Sequence, residues 1–172
     1  MATTYKAIAT VTVGSGGAAN IEFTSIPGTY TDLVVKYSLR GSDAANYINN
    51  RISFNNSTSG YTSKLLYGDG SAASSANNSV TNAIDFSAYS VGTSATASTF
   101  SNGEAYIANY AGSNNKSVSI DHVTENNATN AIAALTAGLW SDSAAITSVK
   151  ITPGSGTFAQ HSTATLYGIK NS

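Results

Sequence analysis

Apolar residues recur at every second position along most of this chain. In Leu33-Val34-Val35-Lys36-Tyr37-Ser38-Leu39-Arg40, residues Leu33, Val35, Tyr37 and Leu39 share one face, and Val34, Lys36, Ser38 and Arg40 share the other. Successive side chains of a strand point to opposite faces, so the pattern predicts a half-buried strand. Tyr5–Val13 reads the same way, with Ala7, Ala9, Val11 and Val13 alternating with Ile8, Thr10 and Thr12. Asn20–Ile26 does so through Ile21 and Phe23, and Tyr47–Phe54 through Ile48, Ile52 and Phe54. Tyr61–Tyr67, Glu104–Tyr110, Lys116–Val123, Ile132–Trp140, Ile146–Thr152 and Thr163–Lys170 bring the total to about ten short strands.

Turn-forming clusters separate these segments. Gly14-Ser15-Gly16-Gly17 reads as the first hairpin loop, and Pro27-Gly28 as a turn. Gly112-Ser113-Asn114-Asn115 divides two strands, and Pro153-Gly154-Ser155-Gly156 divides the last two. Ala128–Ala137 has helical propensity. Strand is nevertheless the expectation there, because the segment lies between turn signals in a chain that is otherwise β. Gly68–Asn82 and Ser87–Ser101 carry no pattern and are too long for ordinary hairpin loops.

The expected architecture is therefore all-β: a single antiparallel β-sandwich domain spanning residues 1–172, of jelly-roll type, in which long excursions cross between sheets. A Greek-key sandwich is the near neighbour. Val11, Phe23, Leu33, Val35, Tyr37, Ile52, Phe54, Ile120, Val149 and Leu166 are the expected core. The sequence contains no internal repeat of the kind that builds propellers or β-helices.

Composition narrows the function. Only 10% of the residues are charged and the net charge is −1, so long-range steering of nucleic acid or an anionic membrane is weak. Ser, Thr, Asn and Gly supply the surface polarity. Ten Tyr, five Phe and one Trp among the 172 residues argue against disorder. There is no cysteine, hence neither a disulfide framework nor a thiolate metal site. The first residues lack the pattern of a secretory signal, and no apolar run nears the ~20 residues of a membrane-spanning helix. The expectation is a protein made in the cytoplasm, with no membrane insertion and no nucleic-acid partner.

Candidate chemistry is sparse. Asp121 adjoins His122, and Glu125 follows three residues on. An acid, a histidine and a serine suggest a triad, but neighbours in a strand face opposite ways, so Asp121 does not orient His122. His161 stands apart, and no ligand-spaced pair accompanies either histidine. Glu22, Asp32, Asp43, Asp69, Asp85, Glu104 and Asp142 are scattered singly. Asp69-Gly70 reads as a turn. Sequons at Asn55, Asn56, Asn77 and Asn127 read as unmodified polar loops, and Trp140 and the tyrosines as core or sheet-face residues, a minority of them able to stack on sugar or a neighbouring subunit. The expectation is no enzyme: no catalytic, cofactor-binding or metal-binding residues, and no cofactor.

The segments Tyr5-Lys6-Ala7-Ile8-Ala9, Val13-Gly14-Ser15-Gly16-Gly17, Phe23-Thr24-Ser25-Ile26-Pro27 and Tyr30-Thr31-Asp32-Leu33 resemble virion proteins of tailed bacteriophages, especially from marine hosts. Ser162-Thr163-Ala164-Thr165-Leu166-Tyr167-Gly168-Ile169 is similar to the closing strand of that group. Tyr106-Ile107, Tyr110 and Asn114-Asn115-Lys116-Ser117 match in style between them. The likeness lies in strands and turns across nearly the whole chain, with no functional motif. It implies a jelly-roll-like structural protein of the virion, assembled in the host cytoplasm. The first expectation is a capsid decoration or cement protein on the head, contacting the major capsid protein and itself, with a trimer implied by family analogy alone. The alternative is a tail-fibre or receptor-binding tip that binds a host surface glycan. A glycan-cleaving enzyme ranks far behind both. The absence of heptads and repeats favours the decoration role, since a fibre normally carries a shaft.

Overall fold

The period-two segments of the sequence form strands in the computed structural model, which describes residues 4–86, 90–126 and 131–170. Among the described residues every regular element is a strand: β1 (Tyr5–Thr12), β2 (Ile21–Phe23), β3 (Asp32–Leu39), β4 (Tyr47–Ile48), β5 (Asn50–Phe54), β6 (Tyr61–Gly68), β7 (Ala73–Asn78), β8 (Ile84–Asp85), β9 (Ser90–Val91), β10 (Ser101–Ile107), β11 (Lys116–Thr124), β12 (Ile132–Trp140), β13 (Val149–Pro153) and β14 (Thr163–Ile169). These exceed the expected ten segments because Asn49 interrupts one predicted strand. In addition, β7, β8 and β9 have no period-two signal of their own.

An eight-stranded sheet runs β1-β14-β3-β10-β11-β12-β6-β7, and a four-stranded sheet runs β2-β13-β5-β8. All strand pairs within both sheets are antiparallel. A short β4–β9 pair stands beside them. The two larger sheets enclose the main apolar cluster, which makes the fold sandwich-like, and a smaller cluster of Leu65, Ile132 and Ala134 lies apart from it. Leu33, Val35 and Leu39 of β3, Ile107 of β10 and Leu166 of β14 meet Ile21, Ile52, Phe54, Ile84, Val149 and Ile151 of the smaller sheet in the main cluster. Full burial of each such side chain contributes about 1.5–3 kcal/mol. Gly138 of β12 packs directly on Ile84 of the smaller sheet, where an added Cβ would lie 2.7 Å from that side chain.

Phe54, Tyr61 and Trp140 close one end of the core. The Tyr61 and Trp140 rings stack with centroids 6.0 Å apart, and Phe54 lies 5.6 Å from Trp140. The Phe54 amide donates to the Tyr61 hydroxyl at 2.8 Å, so that buried phenol is satisfied. Lys116, directly opposite Trp140 in the ladder, is also buried. Its ammonium donates to the carbonyls of Gly112 and Asn114 and, at 3.4 Å, to that of Asp142. Burial lowers its pKa, and the charge of Asp142 opposes that shift.

Nine of the ten expected core residues are buried in the cluster; Val11 is half-buried and packs on its margin. The reason lies in β1. Its pairing with β14 slips between Ala7 and Ala9, so Ile8 is the extra residue of a bulge. Ile8 therefore packs on the core beside Val11 instead of alternating away from it. Gly14–Gly17 forms a turn, with the Gly17 amide donating to the Gly14 carbonyl at 3.1 Å, but it is not a hairpin loop. It joins β1 of one sheet to β2 of the other.

Three further strand boundaries move by several residues. Asn20–Ile26 contracts to three residues, and Ile26 is buried beyond the strand end. The Glu104–Tyr110 strand starts at Ser101 and stops at Ile107, leaving Tyr110 to pack from a loop with its hydroxyl donating to the Pro27 carbonyl. Ile146 lies before β13. The Ala-rich segment is strand from Ile132 onward, while 128–130 fall outside the described residues. No helix among the described residues is long and apolar enough to cross a membrane.

Candidate functional site

The outward face of the large sheet carries the features that the sandwich interior does not use. Alternation gives each strand an outer row: Asn102, Glu104 and Tyr106 from β10; Ser117, Ser119, Asp121 and Val123 from β11; Ala133, Leu135 and Ala137 from β12; Lys64 and Leu66 from β6. Cross-strand register sets them in lines. One line runs Lys36, Glu104, Asp121, Leu135, Leu66, Ser75. The next runs Ser38, Asn102, Val123, Ala133, Gly68, Ala73.

Three large apolar side chains stand on this face: Leu66 is 53% exposed, Val123 44% and Leu135 57%. Small neighbours leave two depressions around them. One, of about 450 Å³, is lined by Leu66, Asn102, Asp121, Val123 and Leu135. The other, of about 460 Å³, is lined by Glu104, Tyr106, Ser117, Ser119, Asp121 and Leu135. Asp121 and Leu135 form the ridge between them.

One ion pair and two hydrogen bonds engage the charged groups here. Lys36 Nζ lies 3.0 Å from Glu104 Oε2 across the β3–β10 ladder, and this carboxylate raises the lysine pKa. The Glu104 amide donates to Asp121 Oδ1 at 3.2 Å. The Tyr106 hydroxyl donates to Asp32 Oδ2 at 2.8 Å, which raises the phenol pKa. Glu104 and Asp121 are direct cross-strand neighbours, but both reach solvent on an open surface. A glycosidase acid needs an apolar enclosure to hold its proton at neutral pH. This face offers hydrogen bonds and apolar contact.

Asp121 and His122 point to opposite faces, as alternation requires: Asp121 is exposed and His122 is 3% exposed. The His122 ring stacks on Tyr37 at 5.9 Å, with Nε2 2.9 Å from Thr124 Oγ1. His161 occupies an exposed turn with φ of 71°. Among the described residues no three His, Asp or Glu side chains converge as a metal site would require.

Four more acids serve local structure. Glu22 lies 3.5 Å from Lys150, and Asp85 lies 3.9 Å from Arg51. Asp142 caps the Ala144 amide at 2.7 Å. Asp69 accepts from Ser71 N, Ser71 Oγ and Ala72 N in the β6–β7 turn, which lowers its pKa to about 2. Asn55, with φ of 52°, ties down the 145–148 segment: its Oδ1 accepts from the Thr147 and Ser148 amides and its Nδ2 donates to the Ala145 carbonyl. The Asn127 sequon lies outside the described residues.

The leucines of this face lie outside the expected core and the candidate chemistry. Their signal was present in the doublet Leu65-Leu66 and in Leu135, which sit where alternation calls for polar residues. No protein-family model matches the chain, and no curated protein matches it.

Proposed function

We propose that this chain is a non-enzymatic structural protein of a bacteriophage virion: a jelly-roll-type decoration or cement protein on the head surface. The observation that carries the reading is the outer sheet face, where Leu66, Val123 and Leu135 stand exposed with Asn102, Asp121 and Ser75 on their border. Isolated exposed apolar residues are ordinary, but a grouped set with a polar border suits a docking surface. Burying the exposed part of each would contribute about 1 kcal/mol. So small a gain per copy suits a protein that repeats over a lattice, where avidity multiplies weak contacts. The partners are the major capsid protein and further copies of the chain. The likeness to phage virion proteins and the low charge point the same way.

A second reading has its own support. The depression beside Tyr106, Ser117, Ser119 and Asp121 offers an aromatic edge, hydroxyls and a carboxylate, groups that hydrogen-bond sugar hydroxyls. That favours a receptor-binding tip recognising a host glycan.

Copy number in purified particles separates the two. Quantitative mass spectrometry giving on the order of hundreds of copies supports decoration. A count of roughly three to eighteen, one small ring or a few symmetric sets, would move the chain to the tail. Substituting Leu66→Asp and Leu135→Asp should abolish incorporation into particles while leaving the melting curve intact, since both side chains lie outside the core.

A further inference from the structure

The edges of the two sheets are guarded unequally. A strand at a sheet edge presents unpaired amides and carbonyls, and proteins blunt such edges with short strands, charges, prolines or bulges. In the small sheet, β2 has three residues and carries the Glu22–Lys150 pair, and β8 has two residues. In the large sheet, β1 carries Lys6 and the bulge at Ile8. The opposite edge, β7, has none of these. It runs Ala73-Ser74-Ser75-Ala76-Asn77-Asn78, pairs with β6 in unbroken register, and has no described strand on its other side.

We propose that β7 is a self-association edge, where two copies of this chain join antiparallel and continue the large sheet from one molecule into the next. This names the contact for the self-association put forward above and rests on that part of the reading. The occupant is a second copy because the strand is complementary to itself. It has no charge to repel its own image, and its Ala and Ser side chains lose little rotamer freedom on pairing. Opposed residues of a ladder share a face, so the two-fold axis passes beside Ser75 or Ala76. Ser75 and Asn77 lie opposite Leu66 and Lys64 and therefore face outward with them. The two-fold stands perpendicular to the sheet, so both copies present the Leu66–Leu135 face on the same side. Such a pair would approach a capsid surface with two docking faces at once. The symmetry is two-fold, which yields pairs in place of the trimer implied by family analogy.

Sedimentation velocity of the full chain from ~10 μM to ~1 mM tests this, a range suited to a six-residue contact of low affinity. The expected result is a mass rising from one copy towards two. In the S75K/N77K variant, either register sets lysine against lysine, and the expected result is a single copy throughout. S75E/N77E should behave the same way, and an equimolar mixture of the two variants should associate again. Wild-type protein that stays single up to ~1 mM would overturn the proposal, as would a lysine variant that associates like wild type. Amide exchange provides a readout without substitution: protection at Ser74–Asn77 should grow with concentration, and protection that stays constant would overturn the proposal. Particle copy number addresses the head assignment separately, so either idea can fail while the other stands.

Discussion

Tyr37 offers the sharpest test of the packing argument. Its ring is 5% exposed, stacked on His122 and tilted against Phe86 at 5.7 Å. Its hydroxyl is buried with no hydrogen-bond partner. The phenol end lies beneath Gly103, where an added Cβ would stand 2.7 Å from the hydroxyl. A buried hydroxyl without a partner costs about 1–3 kcal/mol of desolvation. Tyr37→Phe removes that cost and keeps both ring contacts, at the expense of the few dispersion contacts that the oxygen makes. A net stabilisation of about 1 kcal/mol is expected, raising Tm by about 2–4 °C for a domain of this size. Alkaline pH adds a second readout. Burial first, then the charges of Asp121 and Glu104, hold the Tyr37 pKa well above its ordinary value of 10.0. Above pH ~10 the unfolded chain releases this proton and the folded chain keeps it, so the group lowers stability as pH rises. The advantage of the phenylalanine variant should therefore widen above pH ~10. Urea melts of both proteins at neutral and alkaline pH measure the difference. A variant less stable than wild type by more than ~0.5 kcal/mol would refute the reasoning, since it would mean that the hydroxyl is satisfied.

Three more outcomes follow from other sites. Gly103→Ala drives a Cβ to 2.4 Å from the Asp121 carbonyl and into the Tyr37 ring, and should cost about 1–3 kcal/mol in thermal or urea unfolding. Arg40 donates to the carbonyls of Thr96 at 2.9 Å and Thr99 at 2.8 Å, so Arg40→Ala should lose about 1–3 kcal/mol and speed amide exchange across 92–99. The Asp69 carboxyl should titrate near 2 by NMR. Because its folded pKa is depressed, its support for the β6–β7 turn is complete above ~pH 4 and fades as pH falls towards 2, leaving Ser71 and Ala72 amide shifts to follow the same curve.

Strands with one wet and one dry face were plainly legible. In β11, Val118, Ile120, His122 and Thr124 are buried while Ser117, Ser119, Asp121 and Val123 are exposed, and β12 repeats the arrangement. Three things escaped. A bulge in β1 breaks the count of two without changing composition. The edge strand β7 has no apolar face because solvent meets most of it, so no period marks it. The pairing of distant strands across two sheets leaves no local trace, which is why the Gly14–Gly17 turn passed for a hairpin. The docking face was half-legible: Leu66, Val123 and Leu135 violate alternation, and only the ladder register reveals that they are neighbours.

The position of β14 has a consequence for the order of synthesis. This strand lies between β1 and β3, and β13 lies between β2 and β5. Strands β13 and β14 are thus interior members of the two sheets, although the ribosome makes them after the other twelve described strands. Until they emerge, β1 has no partner in the large sheet and β2 none in the small one, while β3 shows an open flank beside β10. A nascent chain can assemble the β10–β11–β12 meander early, but both sheets close only after the last strands arrive. Closure is then dominated by pairings between residues far apart in sequence, which form slowly. During that interval the exposed flanks of β3 and β5 are the sites most vulnerable to misassociation.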